Sequence, residues 1–155
     1  MNIKPFRQTD DSRCAPACIK MVLDYYGIEK TEDELCVLAN HTYELGCTNA
    51  DTKKCLESFG IEVMDKEYGT LEDLQKAIYC GTPVIVDWLK EGVGHYSIVK
   101  SIANGFIILI DPEEGDYRTM EVKDFMRLWF DWEKTEYISK ENLVIRYLMV
   151  CKMLS

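Results

Sequence analysis

A nucleophile and its base can be built from one cysteine and one histidine, and this chain offers such a pair in Cys14 and His95. Cys14 precedes Pro16, which suits the first turn of a helix, and the apolar residues that follow recur at helical spacing. A thiolate is favoured at a helix start, because unpaired amides and the positive end of the helix dipole lie there. Such placement beside a histidine can lower the pKa of a thiol from ~8.5 to roughly 3.5–7.5. The position of Cys14 therefore indicates a reactive thiol.

The base must come from one of only two histidines. His41 falls in a predicted polar loop, and we assign it no role. His95 follows Gly92-Val93-Gly94 and opens a predicted strand, where its ring could face a cleft. A nucleophilic cysteine needs an adjacent base, so His95 is the candidate.

The length of one turn decides whether Asp111 can orient His95. A two-residue loop at Asn104-Gly105 would put the two side chains on opposite faces of the hairpin. A three-residue loop, Ala103-Asn104-Gly105, with Gly105 in the left-handed region, would place Ser97 opposite Asp111. His95 is then the diagonal neighbour of Asp111 on one face, at roughly 7–8 Å between backbone positions. If Asp111 orients His95 in a Cys14–His95–Asp111 triad, the hairpin must have the three-residue loop, which we therefore predict.

An oxyanion donor is the remaining requirement for acyl transfer. Gln8 lies six residues before Cys14 and could offer its side-chain N–H together with the backbone N–H of Cys14. Donors aimed at a developing oxyanion contribute about 2.7–4 kcal/mol each. The spacing makes Gln8 the candidate for this role.

The elements that must position these residues fall into two groups. Helices are predicted from Pro16 to Gly27, after the capping box of Thr31, over 48–59 and 71–80, and later over 122–130. Strands are predicted at 61–64, 83–88, 95–102, 106–110, 117–120 and 143–151. Helices come first and an antiparallel sheet second, which indicates an α+β fold with helices packed against the sheet.

Composition and charge exclude several classes of function. Hydrophobic residues make up 47% of the 155 residues and charged residues 29%, which is ordinary for a soluble globular domain. The net charge of -9 and the lack of a basic stripe argue against nucleic acid as a partner. No signal peptide and no run of membrane-spanning length is found, so we expect a cytoplasmic protein with no membrane insertion.

Seven cysteines without a CxxC pair indicate reduced thiols and not a disulfide framework. Cys18, one turn after Cys14, is predicted to be a core residue. A zinc site shared by Cys14, Cys18 and a histidine is a poor alternative, because no further ligand cluster accompanies them. A redox protein would need exposed, paired thiols. We therefore expect neither a metal nor a cofactor.

Motifs recur in a characteristic order along nearly the whole chain. The first combines Gln8, Cys14, Pro16 and Cys18 with a run that ends at Gly27. Later ones are Gly46-Cys47-Thr48, Gly60, Thr70-Leu71-Glu72-Asp73-Leu74, Gly81-Thr82-Pro83-Val84-Ile85-Val86, Gly94-His95-Tyr96, Asp111-Pro112 and 122–129. Together they resemble the bacteriocin-processing cysteine peptidases, which are papain-like domains, often fused to peptide exporters, that cut after a double-glycine leader.

This resemblance implies roles for individual residues. The family's glutamine, cysteine, histidine and aspartate map in order onto Gln8, Cys14, His95 and Asp111. It also implies a papain-like α+β fold, a peptide or protein substrate and a peptide exporter as a partner. Residues 1–155 would then form a single peptidase domain.

Two positions depart from the family pattern. Ala15 stands where glycine is common after the cysteine, and Arg13 stands where aspartate is usual in the exporter-linked branch. No transporter domain follows within this sequence. These features favour the free-standing branch of the family.

The resulting hypothesis is a thiol hydrolase that cleaves a peptide or amide bond. The alternative is a catalytically idle, peptidase-like module that binds a peptide or leader sequence. Taken singly, Cys14 could be a buried structural thiol, His95 an ordinary strand residue and Asp111 a turn residue. Trp88, the last residue of a predicted strand, could be core or could form a wall of the cleft.

Overall fold

The computed structural model describes residues 1–133 and 139–155. Its helices are α1 (Cys14–Tyr25), α2 (Glu32–Leu38), α3 (Asn49–Glu57), α4 (Leu71–Tyr79) and α5 (Val122–Leu128). Its strands are β1 (Ile61–Lys66), β2 (Val84–Lys90), β3 (Val93–Ala103), β4 (Phe106–Asp111), β5 (Asp116–Glu121), β6 (Phe130–Trp132), β7 (Leu143–Ile145) and β8 (Tyr147–Met153), with a 3-10 turn at Lys140–Asn142.

Threonine side chains fix where three of the helices begin. The hydroxyl of Thr31 accepts the N–H of Glu34, and the Glu34 carboxylate accepts the N–H of Thr31. Thr70 and Asp73 form the same reciprocal pair at the start of α4, and Thr48 caps α3. Each cap satisfies amides that have no carbonyl acceptor within their own helix. The predicted helix starts after Thr31 and Thr70 are therefore confirmed, and the helix predicted from residue 48 begins one residue later, after the Thr48 cap.

Six strands form one antiparallel sheet in the order β1-β8-β2-β3-β4-β5. The last long strand, β8, pairs on one edge with β1 and on the other with β2, so the C-terminal strand closes the sheet between earlier elements. The short strands β6 and β7 form a second sheet. The predicted α+β layout is confirmed.

The six-stranded sheet separates two hydrophobic cores. The first core lies between α1, α2 and α3 and one face of the sheet, and it contains Leu23, Leu56 and Ile98. The second lies between α4 and α5 and the opposite face, and it contains Leu74 and Phe125 among others. Alternating strand residues supply the two cores, as the two-residue period of a strand requires.

The β3–β4 hairpin has a two-residue turn, so the predicted three-residue loop is wrong. Ala103 pairs with Phe106 across the turn. Asn104 and Gly105 have φ values of 54° and 80°, both in the left-handed region that a type I′ turn requires. Asparagine and glycine adopt this region more readily than other residues, which explains why the turn closes at this dipeptide.

A β-bulge in β3 nevertheless gives the predicted alignment. Val99 pairs with Leu109 and Ser101 with Ile108, so Lys100 is an extra residue that shifts the register by one. Beyond the bulge Ile98 pairs with Ile110, and this register continued by one residue places Ser97 opposite Asp111. His95 and Asp111 therefore share one face, as predicted, but through a bulge and not through a longer loop.

The predicted final strand at 143–151 is also corrected. It divides into β7 and β8 at Arg146, whose φ of 48° turns the chain from one sheet into the other. The predicted helix at 122–130 ends at Leu128, because the next residues form β6 and pair with β7. Within residues 1–133 and 139–155, no helix has both the length and the apolar character needed to cross a membrane.

Candidate active site

Cys14 is the first residue of α1 and is partly exposed. The first amides of a helix have no acceptor in their own helix, so the N-terminal end of α1 presents donors and positive dipole charge around the sulfur. The next turns of α1 are buried: Ala15, Ala17, Cys18 and Ile19 are each at most 1% exposed. This burial holds the start of α1, and with it the Cys14 thiol, in a fixed position. Cys18 lies in the core as predicted.

His95 lies near the start of β3 and is 6% exposed. Its strand neighbour on β2 is Trp88, whose ring packs edge-on against the imidazole with centroids 5.9 Å apart. Trp88 donates its indole N–H to the hydroxyl of Ser97 at 3.0 Å and is itself only 2% exposed. Trp88 is therefore a core residue that keeps solvent from one side of the His95 ring.

Asp111, the last residue of β4, binds the imidazole directly. Its Oδ1 lies 2.7 Å from Nε2 of His95, and the carboxylate is fully buried. The hydrogen bond engages Nε2, so Nδ1 is the ring nitrogen that remains for Cys14. This is the orienting contact that the diagonal placement of the two residues predicts.

Two cations also bind Asp111. The Nζ of Lys90 lies 3.0 Å and the Nε of Arg118 lies 2.8 Å from Oδ2, while the backbone N–H of Glu113 donates to Oδ1 at 3.0 Å. Lys90 also pairs with the Glu113 carboxylate. Burial alone would raise the pKa of Asp111, but the hydrogen bonds from His95, Arg118 and Lys90 lower it below its usual range. Asp111 therefore stays ionised.

The electrostatics of His95 favour its protonated form. Burial lowers the pKa of His95, but hydrogen bonds to Asp111 and to the Cys14 sulfur outweigh that effect and raise the pKa to about 9. At neutral pH the imidazole therefore carries a proton and a positive charge beside the thiol. This charge state is the one that supports a thiolate–imidazolium pair.

Gln8 lies on the segment that leads to α1 and is 9% exposed. Its backbone N–H donates to the carbonyl of Pro112 at 2.7 Å, so this segment lies against the end of β4 that carries Asp111. Its side-chain Nε2 donates one hydrogen to the carbonyl of Asp10 at 2.8 Å, and a second hydrogen remains on that nitrogen. The structure thus brings Gln8 into the neighbourhood of the other three predicted residues.

The sequence of residues 2–132 matches the model of the peptidase C39 family. This chain belongs to the peptidase C39 family. It is a cysteine peptidase, and the resemblance noted in its sequence is confirmed.

Solved structures show the same fold at low sequence identity. The peptidase domain of Streptococcus ComA, a bi-functional ABC transporter involved in a quorum sensing pathway, aligns with a TM-score of 0.78 and 19% identity, covering 99% of this chain and 100% of that one. A double glycine motif protease from an AMS/PCAT transporter, solved in complex with the leader peptide, aligns with a TM-score of 0.75 and 17% identity, covering 99% and 93%. The predicted papain-like fold is confirmed.

A curated relative gives a similar match in sequence. The lactococcin-G-processing and transport ATP-binding protein LagD of Lactococcus lactis subsp. lactis is 29% identical over 136 residues. The match covers 84% of this chain and 19% of LagD, so the chain spans about a fifth of the length of that relative.

A cleft of about 400 Å³ opens beside Cys14 in this C39 peptidase. One wall comes from the loop between α2 and α3, with the exposed side chains of Tyr43 and Leu45. Further lining residues are Gly92 of the β2–β3 turn, Val93 of β3 and Trp132 of β6. The cleft beside the Cys14 thiol is therefore lined in part by apolar side chains.

One cluster of donor atoms has the composition of a metal site. His95, Asp111 and Glu113 each place one donor atom within 4.8 Å of the others. Lys90 already binds both carboxylates and Arg118 binds Asp111, so two protein cations balance the charge that a metal would neutralise. The cluster is better explained as a support for His95 than as a metal site.

Three charged residues at this C39 site were missed by sequence reasoning. Lys90 and Arg118 contact Asp111, and the buried Glu32 binds the segment before Cys14. Nothing in the sequence spacing relates these three residues to Asp111 or Cys14. The available signal was the position of Lys90 just after a predicted apolar strand, where a charged side chain needs a partner. His41, to which no role was assigned, places Nε2 2.8 Å from the hydroxyl of Ser12.

Proposed function

We propose that this chain hydrolyses a peptide bond in a leader-bearing peptide, with Cys14 as nucleophile, His95 as acid and base, Asp111 as the orienting residue and Gln8 as an oxyanion donor. The observation that carries the proposal is the 2.7 Å bond from Asp111 to Nε2 of His95, together with the hydrogen bond between His95 and Cys14. One base thus links a buried carboxylate to a thiol at a helix start.

The arrangement supports a two-step reaction. The Cys14 thiolate attacks the substrate carbonyl, and the Gln8 side chain and the Cys14 N–H stabilise the oxyanion. Protonated His95 gives its proton to the leaving amine, and a thioester remains on the sulfur. His95 then removes a proton from water, which attacks the thioester and releases the acid. Asp111 holds the ring throughout.

The substrate class rests on the named relatives. One relative is a double glycine motif protease solved with a leader peptide, and another is named as a processing and transport protein for lactococcin G. We propose that this chain cuts after a double-glycine leader, acts as one domain over residues 1–155 and works with a peptide exporter. The exposed Tyr43 and Leu45 beside the nucleophile suit a peptide with apolar side chains.

Thiol alkylation tests the ion pair without knowledge of the substrate. We expect iodoacetamide to modify Cys14 first between about pH 5 and about pH 9, with an apparent pKa well below ~8.5 that rises in His95→Ala. Four other cysteines serve as internal controls, because burial raises the pKa of Cys18, Cys47, Cys55 and Cys151.

Peptide cleavage tests the reaction itself. A synthetic peptide with a double-glycine site should be cut by the wild type and left intact by Cys14→Ala. If Cys14 shows the reactivity of an ordinary thiol at every pH and the peptide stays whole, the chain is a binding module and the proposal fails. Cleavage of the peptide at other sites would be consistent with the proposed catalytic residues but would contradict the proposed specificity for a double-glycine leader.

A further inference from the structure

Glu32 is a buried carboxylate that the proposed reaction does not use. It lies in the first turn of α2 and is 6% exposed, although Asp33 and Glu34 beside it face solvent. Glu32 accepts the backbone N–H of Thr9 at 3.2 Å and the hydroxyl of the same residue. It also accepts Nη1 of Arg13 at 3.1 Å. A charged group at this depth needs such partners, and all of these belong to one segment.

That segment, residues 8–13, joins the two proposed oxyanion donors. Gln8 opens it, and the N–H of Cys14 follows directly after it. Internal bonds converge on Asp10, whose carbonyl accepts from the side chain of Gln8 at 2.8 Å and from the N–H of Arg13 at 3.3 Å. The Asp10 carboxylate accepts the N–H of Ser12 at 2.9 Å. The segment is therefore a compact turn, and Glu32 holds it from outside at both ends.

We propose that Glu32, paired with Arg13 and Thr9, is a positioning residue that fixes the oxyanion donors of this peptidase. The inference rests on the proposed function, because it assigns Glu32 a role only if Gln8 and the Cys14 N–H stabilise an oxyanion. Arg13 also pairs with Asp10 and Asp33, so its charge links Glu32 to the segment that ends at Cys14.

Geometry gives this role a measurable consequence. Oxyanion donors act only when they lie about 2.7–3.1 Å from the developing charge, so a small shift of the segment lowers the rate. Alkylation of the thiolate by iodoacetamide forms no oxyanion. Loss of Glu32 should therefore slow peptide cleavage and leave the reactivity of Cys14 intact.

The test compares both reactions in Glu32→Ala and Glu32→Gln. We expect Glu32→Ala to lower kcat on the double-glycine peptide by about 10- to 100-fold, with KM and the alkylation rate of Cys14 within about twofold of wild type. Glu32→Gln can still accept the Thr9 N–H, so its loss of kcat should be smaller, and it serves if the alanine variant does not fold.

Asp33→Asn is the matched control. Asp33 binds the same Nη1 of Arg13 at 2.6 Å, but its side chain is 86% exposed and makes no contact with Thr9 among the residues that the structure describes. We expect its kcat to stay within about twofold of wild type. An equal loss in Asp33→Asn would mean that charge around Arg13, and not the Glu32 contact, sets the rate.

Gln8→Ala separates failure of this inference from failure of the proposed function. If Gln8→Ala retains full kcat, the proposed oxyanion role is wrong. If Gln8→Ala loses kcat and both Glu32 variants keep it, only the inference is wrong. A parallel fall of kcat and alkylation in Glu32→Ala would also overturn it. The fold-loss of kcat caused by Glu32→Ala should be smaller in a Gln8→Ala background than in the wild type, because the two residues act through one segment.

Discussion

Asp111 carries more interactions than a carboxylate needs simply to orient one imidazole. His95, Lys90, Arg118 and the N–H of Glu113 all donate to it, and the side chain is fully buried. Desolvation of such a charge is costly, and several donors are required to offset it. The two cations also have a second effect, since they oppose the charge through which Asp111 stabilises protonated His95.

Lys90→Met tests that second effect. We expect the pKa of His95 to rise above about 9, because a positive charge close to the imidazolium is removed while Arg118 still holds Asp111. The charged groups that face this site are Cys14, Asp111, Glu113 and Arg118; all are retained in the variant, although Asp111 and Glu113 lose Lys90 as a partner. The alkaline limb of the pH–rate profile for peptide cleavage should move upward.

Lys123→Met is the control for Lys90→Met. Lys123 is exposed and pairs with Glu121, so its loss changes net charge equally without touching Asp111. An alkaline limb that stays in place or moves down in Lys90→Met would mean that Lys90 only supports the fold.

At the scale of elements, the contacts that form the site come from different strands and loops. The β2–β3 turn, the β4 end and the segment before α1 meet at Asp111 and His95. Gly94, one residue before His95, lies against the side chain of Asp131 in β6. A Cβ at Gly94 would come within 2.0 Å of the Asp131 carboxylate. The close approach of β3 and β6 therefore depends on glycine at this position.

Gly94→Ala should consequently displace the start of β3 and the His95 ring with it. We expect kcat/KM for peptide cleavage to fall by about 10- to 100-fold, because small misplacement of a reacting group has effects of that size. Lys123→Ala, at an exposed position that does not line the cleft, should keep near-normal activity. Normal cleavage by Gly94→Ala would show that β6 does not fix the position of His95.

The elements also show where sequence patterns are informative and where they are not. Helix starts at Thr31, Thr48 and Thr70 follow from local hydrogen bonds and were predictable. The bulge at Lys100 was not, because an extra residue in one strand has no required residue type and leaves the alternation almost unchanged. The alignment of His95 with Asp111 was correct, but its structural cause was predicted wrongly.

At the scale of the whole molecule, the sequence predicts the α+β fold class but not the arrangement of the helices on two faces of one sheet. The order of elements and their periodicities indicate α+β, but the position of β8 between β1 and β2 depends on pairings far apart in the chain. The same holds for the site. Residue type and spacing nominate Cys14, His95, Asp111 and Gln8 as site residues, whereas Lys90, Arg118 and Glu32 join these four only through tertiary packing.

The raised pKa of His95 links the site to global stability. A group whose pKa rises from 6.5 to about 9 on folding stabilises the native state most below about pH 6.5, and that contribution is lost as the pH passes through 9. Its size is at most about 3 kcal/mol. We expect the free energy of unfolding of wild type to exceed that of His95→Gln at pH 6, and the difference to shrink by pH 10.

Urea unfolding of both proteins across this range measures that difference, and the titrating groups that do not contact His95 cancel in the comparison. Asp111 acts in the opposite direction. Its lowered pKa gives stability above about pH 4 that is lost on acidification, so the two effects occupy separate ranges. A difference between the proteins that stays constant from pH 6 to pH 10 would contradict the charged state of His95.

The division of the site between α1 and the sheet has a consequence for how the chain folds. A helix start at Cys14 forms from local contacts, but the imidazolium beside the thiol exists only after α1 docks on β3 and the β3–β4 hairpin closes around Asp111. In a stopped-flow refolding experiment, circular dichroism would follow the helices, whereas a pulse of alkylating reagent at mildly acidic pH would follow docking. The reactivity of Cys14 should therefore report when the last tertiary contact of the fold has formed.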